Sequence, residues 1–223
     1  MLAPPFAGDY PDRMSRVTAD IAISLDGFAA GPNQSLDRPM GEGVDNRLHG
    51  WMFDYADEHA EEIAAITTAG AYVMGRNMFG PVRGEWPREG EPLGDWTGWW
   101  GDEPPYHAPV YVLTHYEREP LTMAGGTTFH FVTDGIHAAA DRAREAAGGA
   151  DISIAGGAET LNQALWAGIV EELRLHVAPV TLGAGERVFD RVPALDLELL
   201  RSRVTPEVAH LTYRVRRPSD PGA

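Results

Sequence analysis

Apolar and polar residues alternate along much of the chain, and this alternation predicts several strands. Residues 17–31 (VTADIAISLDGFAAG) place apolar side chains at nearly every second position from Val17 to Leu25, which is the period of a half-buried strand. Short apolar runs of a similar kind predict further strands. They cover residues 71–75, 110–115, 127–135, 152–155, 171–183, 195–205 and 207–217.

Three longer segments carry the residues that begin and end helices. They are residues 54–70, 136–149 and 158–168. In the first of them, Asp54 is the predicted N-cap, acidic residues fill the first turns and Gly70 marks the end. A shorter helix begins near Arg76 and is limited by Pro81.

The order of these elements predicts one α/β domain. Strands alternate with helices through the middle of the chain, which favours a mainly parallel sheet with right-handed crossovers, and the last two strands form an antiparallel end. We expect the domain to cover residues 16–216, between a flexible tail at 1–15 and a disordered tail at 217–223.

A long insertion, residues 81–109, interrupts this domain. It is rich in proline and glycine and holds four of the six tryptophans. A structured insertion of this length is interpreted as a lid over a substrate, a cover on apolar surface or a contact between two subunits. The sequence leaves these three interpretations open.

Charge and composition exclude several classes of function. The formal net charge is −15 and all 18 basic residues are arginines, so we expect no nucleic-acid binding by this acidic chain. The absence of cysteine excludes disulfides, thiolate metal sites and a cysteine nucleophile. Because no signal-peptide pattern and no apolar run of about 20 residues occurs, we expect a cytoplasmic protein without a membrane partner.

Histidines offer no metal-binding pattern. The eight histidines lack the spacing of metal ligands, and HAEEI is not the H-E-x-x-H motif. His176 lies in an apolar strand and is interpreted as a paired sheet residue. We therefore predict no metal site.

Unusual residues follow four of the predicted parallel strands. They are Gly75–Arg76, Thr114–His115, Thr133–Asp134 and Gly156–Gly157. Ligands bind at the carboxyl ends of such strands, and helix N-termini with glycines suit phosphate groups. Taken alone, the glycine pair is interpreted as a tight turn, because the full G-x-G-x-x-G motif is absent. Arg76 alone is interpreted as a solvated charge. Their recurrence at strand ends favours a nucleotide site.

Four segments resemble a known family. ADIAISLDGFAAGP, AYVMGRNMFG, VYVLTH and IAGGAETLNQALWAGIVEELRLHVAPVTLGAGERVF are similar to the reductase domain of riboflavin biosynthesis and the dihydrofolate-reductase-like proteins grouped with it. The similarity covers roughly residues 15–216. It implies an α/β fold with a dihydrofolate-reductase-like, mainly parallel sheet flanked by helices, NADPH as hydride donor, and a homodimer.

The resemblance also implies roles for individual residues. Gly156 and Gly157 match the glycine pair that meets the cofactor pyrophosphate, where the peptide bond is commonly cis. Arg76 would favour NADPH over NADH through the extra phosphate. The implied cofactor-binding residues are Ala22, Gly75, Arg76, Asn77, Thr114, His115, Gly156, Gly157, Ala158 and Glu159.

Substrate and catalytic residues are less clearly marked. Asp26 and Asp54 are the candidate catalytic residues, although Asp26 is equally a turn residue and Asp54 equally a helix cap. A bound water is an alternative proton donor. Candidate substrate contacts are Ser24, Asp37 and Trp51. The segment LHGWMFDYADEH departs from the helix pattern of true dihydrofolate reductases, which puts folate as the substrate in doubt.

The function predicted is hydride transfer from NADPH to a small polar or heterocyclic substrate. A stand-alone riboflavin-pathway reductase is one alternative; Arg38 and Arg47 are its candidate substrate-phosphate ligands, and the H-x-E…P-C-x-x-C motif of a zinc deaminase is absent. A non-catalytic nucleotide or small-molecule binder is a second alternative. A deazaflavin in place of NADPH is a third.

Overall fold

A nine-stranded sheet forms the centre of the computed structural model, which describes residues 15–216. The strands along the chain are β1 (Val17–Ser24), β2 (Phe28–Ala30), β3 (Ala71–Gly75), β4 (Pro109–Leu113), β5 (Leu121–Thr122), β6 (Thr128–Val132), β7 (Ile152–Ile154), β8 (Glu172–Ala178), β9 (Glu186–Arg187), β10 (Asp196–Val204) and β11 (Ala209–Arg216). Apart from Ser15, the predicted tails at 1–15 and 217–223 lie outside the described residues.

The strand order in the large sheet is β10-β11-β8-β1-β7-β3-β4-β6-β5. The six strands from β8 to β6 pair in parallel, and β10, β11 and β5 pair antiparallel. This confirms the predicted mainly parallel α/β sheet with an antiparallel end. β2 and β9 pair with each other in a separate two-stranded sheet.

Five helices accompany the strands in the described part of the chain. They are α1 (Gly50–Phe53), α2 (Ala60–Ile66), α3 (Arg76–Phe79), α4 (Gly135–Ala147) and α5 (Ala158–Trp166). The last two agree with the predicted helices, and α4 ends at Gly148 in the left-handed conformation, with φ 58°. None of the helices among residues 15–216 is long and apolar enough to cross a membrane.

The predicted helix over 54–70 is wrong in its extent. The chain forms α1 before Asp54, and α2 begins only after His59. Asp54 follows α1 at its C-terminal end, and its Oδ2 accepts a hydrogen bond of 2.7 Å from Asn46 Nδ2. Asp54 is therefore not the N-cap of a long helix.

The predicted strand over 17–31 is also too long, because a turn divides it after Ser24. Gly27 adopts φ 86° in this turn and its N–H donates to Ser24 O, a backbone conformation that glycine adopts without steric cost. All eight residues of β1 are buried, since the sheet is covered on both faces. Alternation in β1 therefore separates two buried faces rather than core from solvent.

One face of the sheet packs against α4 and α5, and the other is divided into two parts. The first part is aromatic, around Phe79 and Phe129, and the insertion at 81–109 covers it with Trp86, Trp96 and Trp100. The second part is polar and lies under α1 and α2. The contacts of the insertion match the interpretation of a cover on apolar surface.

Candidate functional site

Sheet register brings the predicted cofactor residues into one row across the strand ends. Ala19 and Val73 both pair with Ile154, so β1 and β3 lie on either side of β7, whose end is followed by Gly156 and Gly157. Gly75 pairs with Leu113 at the ends of β3 and β4, and Arg76 and Thr114 follow directly after them. On the other side of Ala22, His176 pairs with Ala22, and His210 pairs with His176. We call these six residues the strand-end row: His210, His176, Ala22, Gly157, Arg76 and Thr114.

The strand-end row has the length of an extended ligand. His176 and Thr114 are separated by four steps between neighbouring strands, or about 19 Å at the usual strand spacing. Residues on one such row can contact successive parts of a single elongated molecule. A dinucleotide is a molecule of that shape.

Two glycine turns meet in the middle of this row. Gly75 N–H donates to Gly156 O at 2.8 Å, which joins the end of β3 to the end of β7. The Gly156–Gly157 peptide is cis, as the resemblance implies, and Gly156 has φ 90°. A Cβ on Gly75 would lie 2.5 Å from Thr160 Oγ1, so the Thr160 hydroxyl leaves no room for a side chain at position 75.

The turn at Gly157 begins α5, whose N-terminus carries no side-chain cap. The first amide groups of such a helix lack partners within the helix and favour a negatively charged ligand. Ala158 is buried, whereas Glu159 is exposed and its carboxylate lies 3.3 Å from Arg191 Nη2. Glu159 is therefore directed to a surface ion pair.

Arg76 is held in place by an aromatic ring. Its guanidinium lies 3.7 Å from the centre of the Trp86 ring, and Nη1 donates to Gly84 O. Its Nε and Nη2 are buried and have no hydrogen-bond partner among the described residues. Two unused donors on a fixed guanidinium match the two oxygens of a phosphate group.

The neighbouring predicted residues surround this end of the row. Thr114 is buried, and its Oγ1 accepts a hydrogen bond of 3.2 Å from Tyr116 N–H. Asn77 and His115 are exposed beside it, and Asn77 O accepts from Trp99 Nε1 at 3.2 Å. Thr114, His115 and Asn77 thus lie at the β3–β4 end of the strand-end row, and Ala22 lies across the sheet in β1.

Asp26 is part of the turn after β1. Its Oδ1 accepts hydrogen bonds from Ser24 Oγ (2.6 Å) and Leu182 N–H (3.0 Å), and Oδ2 accepts from Gly183 N–H (2.7 Å). The hydrogen bond from Ser24 and these amides lower the pKa of Asp26 to about 2. These contacts fit the turn role that the sequence also allows, and a catalytic role for Asp26 stays a prediction.

The other predicted substrate residues are dispersed. Asp37 and Asp54 are exposed, and Asp54 is not part of the strand-end row. Arg38 pairs with Glu42 at 3.0 Å, and Arg47 Nη1 donates to Gly43 O at 3.3 Å. Both arginines thus have local partners, and their role as substrate-phosphate ligands stays a prediction.

Trp51, in contrast, is buried beside the row. Its ring centre lies 4.7 Å from that of His176 and 4.9 Å from that of His210. Its Nε1 is buried without a hydrogen-bond partner in the described part of the chain. Trp51 therefore covers the histidine end of the strand-end row.

A buried polar group that the sequence analysis missed lies under Trp51. His59 Nδ1 lies 2.9 Å from His210 Nε2, and His210 Nδ1 lies 2.7 Å from His176 Nδ1. We call these three residues the histidine chain. In the sequence, His176 and His210 are polar residues inside apolar strands, whereas His59 lies in the predicted helix over 54–70. Only the pairing of β8 with β11 and the position of α2 show that the three residues meet.

The histidine chain is flanked by charged side chains at both ends. Arg203 Nη1 contacts His59 Nδ1 at 3.0 Å and Glu62 Oε2 at 3.2 Å. His59, Glu62 and His210 have the atom types and spacing of metal ligands. The guanidinium is already bonded to two of these three side chains, and its positive charge opposes a cation there.

A family model matches most of the chain. The model described as the RibD C-terminal domain matches residues 15–211. A search of curated proteins finds no match.

Solved structures with the same fold are named as riboflavin-pathway or pyrimidine reductase-like proteins. A putative riboflavin biosynthesis protein from Shewanella sp. PV-4 is 22% identical, with 92% of this chain and 100% of that chain covered and a TM-score of 0.57. A pyrimidine reductase-like protein from Corynebacterium diphtheriae is 18% identical, with 91% and 92% covered and a TM-score of 0.53.

A third solved structure is a longer protein from Thermotoga maritima. It is named a diaminohydroxyphosphoribosylaminopyrimidine deaminase/5-amino-6-(5-phosphoribosylamino)uracil reductase. It is 13% identical, with 91% of this chain and 57% of that chain covered and a TM-score of 0.52.

Proposed function

Because this chain belongs to the RibD C-terminal domain family, we propose that it is an NADPH-dependent reductase of a small polar or heterocyclic substrate. Family membership supports an oxidoreductase of the riboflavin-pathway reductase class. The cofactor, the hydride transfer and the substrate are the parts that we propose. The observation that carries the proposal is the strand-end row, whose predicted cofactor residues lie in or directly after neighbouring strands of the sheet.

The residues along this row fit NADPH. The paired glycine turns and the uncapped N-terminus of α5 suit the pyrophosphate. The two unpartnered donors of Arg76, beside Thr114, suit the additional phosphate that distinguishes NADPH from NADH. When bound, NADPH supplies the hydride, and the protein supplies orientation and a water-poor site.

At the other end of the row, buried polar atoms suit a polar substrate. Asp20 Oδ1 and Oδ2, Trp51 Nε1 and His176 Nε2 are buried and have no hydrogen-bond partner among the described residues. Buried polar groups normally have partners, and a substrate that carries both donors and acceptors would satisfy these. This set favours a nitrogen heterocycle over an apolar substrate.

The substrate named for the Thermotoga relative, 5-amino-6-(5-phosphoribosylamino)uracil, is the first compound to test. The experiment follows NADPH oxidation by the purified protein with this pyrimidine and with a panel of small heterocyclic carbonyl and imine compounds. The proposal predicts oxidation that saturates with at least one of these compounds. Saturable NADPH binding without turnover of any of them would favour the non-catalytic binder instead.

A further inference from the structure

The insertion at 81–109 holds the side chain of Arg76 through two contacts. Gly84 O accepts a hydrogen bond from Arg76 Nη1, and the guanidinium carbon lies 3.7 Å from the centre of the Trp86 ring. Arg76 itself is the first residue of α3, outside the insertion. The insertion therefore does more than cover the aromatic part of the sheet, because it also fixes a side chain of the strand-end row.

Trp86 is in turn fixed by three neighbouring elements. Its Nε1 donates to Tyr116 O at 2.9 Å, in the turn that follows β4. Its ring meets the Phe131 ring of β6 edge to face, with 5.1 Å between ring centres, and the Phe79 ring of α3 in the same manner at 5.9 Å. A ring anchored in this way has little freedom to turn, so the guanidinium that stacks on it has a defined plane.

These contacts leave one edge of the Arg76 guanidinium unused. The plane is fixed by Trp86, and Nη1 is bonded to Gly84 O. Nε and Nη2 form the opposite edge, and both atoms are buried without a hydrogen-bond partner among residues 15–216. The N–H bonds of this edge are nearly parallel, which is the geometry that binds two oxygens of one phosphate group.

Positive charge accumulates around Trp86. The Arg118 guanidinium carbon lies 4.9 Å from the centre of the same ring, and its Nη2 donates to Trp96 O at 2.8 Å. Burial, with the charges of Arg83 and Arg118, lowers the pKa of Arg76. In the described part of the chain the hydrogen bonds of Arg76 and Arg118 go to backbone carbonyls, and neither side chain forms an ion pair. Like charges that lack carboxylate partners favour the binding of an anion.

We propose that Trp86 is the positioning residue for Arg76 and thereby sets the preference for NADPH over NADH. Trp86 does not bind the phosphate. It holds the donor edge of Arg76 towards the ligand, while Gly84 O occupies Nη1 and Arg118 adds positive charge. The inference rests on the proposed function for its ligand, because the additional phosphate of NADPH is the phosphate monoester that this function brings to Arg76. The insertion is then a working part of the cofactor site.

The first experiment measures NADPH and NADH affinities by isothermal titration calorimetry for the full chain with Trp86→Leu and Trp86→Phe. Leucine removes the aromatic face, so we expect NADPH affinity to fall by roughly 3- to 30-fold and NADH affinity to stay close to that of the wild type. Phenylalanine keeps a ring under the guanidinium and should retain most of the preference for NADPH. An NADPH-to-NADH affinity ratio that Trp86→Leu leaves unchanged would overturn the proposal.

Trp100→Leu is the matched control. Trp100 lies in the same insertion, and its ring packs against that of Tyr106 with 5.2 Å between ring centres. We expect this variant to leave the affinity ratio unchanged. An equal fall of the ratio in Trp100→Leu and Trp86→Leu would show a general loosening of the insertion and would contradict a specific role for Trp86.

A double variant tests whether Trp86 acts through Arg76. If it does, adding Trp86→Leu to Arg76→Ala should cause no further loss of the preference for NADPH, since residues that act through one another have non-additive effects. Additive losses in the double variant would mean that Trp86 influences the ligand by another route, contrary to the proposal.

A test without nucleotide follows the Arg76 Nε–H signal by nuclear magnetic resonance. Protein labelled with ¹⁵N-arginine is titrated with inorganic phosphate, and the signal is assigned with Arg76→Ala. We expect phosphate to shift this signal saturably in the wild type and to require higher concentrations in Trp86→Leu. The signal of Arg144, an exposed arginine of α4, is the internal control and should not respond saturably.

The two readouts separate this inference from the proposed function. If neither nucleotide binds but phosphate shifts the Arg76 signal more readily in the wild type than in Trp86→Leu, the cofactor assignment fails and the positioning of Arg76 for a phosphate stands. If NADPH is preferred to NADH equally in the wild type and in Trp86→Leu, the cofactor assignment stands and the positioning role fails. If neither nucleotide binds and phosphate does not shift the Arg76 signal, both fail.

Discussion

At the residue scale, the structure separates two aspartates that are close in the sequence. Asp26 accepts hydrogen bonds from Ser24 and two amides in a turn, whereas Asp20 is buried, with neither carboxylate oxygen hydrogen-bonded in the described residues. The sequence marked Asp26 because it lies beside a glycine, and it gave no prominence to Asp20. The two amide hydrogen bonds to Asp26 come from residues about 156 positions away, which no local pattern predicts.

The first prediction concerns Asp26 and acid stability. Its pKa is lowered to about 2 in the folded protein from an ordinary value of 3.8, so ionised Asp26 stabilises the fold above about pH 4, and this stabilisation is lost as the pH falls towards 2. Asp26→Asn should therefore lower Tm at pH 7, and the difference from the wild type should shrink between pH 4 and 2.

Thermal unfolding across this pH range measures the effect, with the exposed Asp57→Asn as control. A Tm difference for Asp26→Asn that stays constant down to pH 2.5 would show that the ionised carboxylate has no such role.

At the element scale, the strands were predicted more accurately than the helices between β2 and β3. The strands and their order along the chain could be predicted from short apolar runs. A strand that is buried on both faces of a parallel sheet is apolar along nearly its whole length. The segment 54–70 has helix-forming residues throughout, but Asp54 is hydrogen-bonded to Asn46 and His59 begins the second helix. Tertiary contacts of this kind override local helix propensity.

The second prediction tests the contact between the two glycine turns. In Gly75→Ala the new Cβ would lie 2.5 Å from Thr160 Oγ1, and overpacking of this kind typically costs about 1–3 kcal/mol. We expect Gly75→Ala to be destabilised by roughly that amount in urea unfolding. Thr160→Ala removes the clashing oxygen and leaves Thr160 Cβ at 3.7 Å, so the double variant should recover most of the loss.

Additive losses in the double variant would contradict this packing between β3 and α5. The same two variants also test the proposed cofactor site, because Gly75 and Thr160 lie beside the pyrophosphate position that we propose. The double variant should also recover NADPH binding if the turns, and not the Thr160 hydroxyl, form the binding surface.

At the scale of the whole molecule, the strand-end row joins residues that lie in or directly after six strands. Sequence reasoning placed Arg76, Thr114 and Gly157 at strand ends, and the family resemblance implied Ala22. It did not find the histidine chain, because His59, His176 and His210 are far apart in the sequence and meet only through the pairing of β8 with β11 and the packing of α2. The predicted homodimer stays a prediction.

The negative charge of the whole chain does not favour the binding of an anionic cofactor. With a net charge of −15, the protein offers no general attraction to a polyanion, so the NADPH binding that we propose depends on a few local donors. Arg76 supplies two of them. Loss of charge-assisted hydrogen bonds costs about 1.5–3 kcal/mol, which corresponds to about a 10- to 100-fold change in affinity.

The most direct measurement is a titration of the protein with NADPH and with NADH, followed by quenching of tryptophan fluorescence. We predict saturable NADPH binding that is much tighter than NADH binding, and an approximately 10- to 100-fold weaker NADPH affinity in Arg76→Ala. Arg144→Ala, at an exposed arginine in the last turn of α4, should bind as the wild type does. If neither nucleotide binds saturably, or if Arg76→Ala binds NADPH as tightly as the wild type, the cofactor assignment is contradicted.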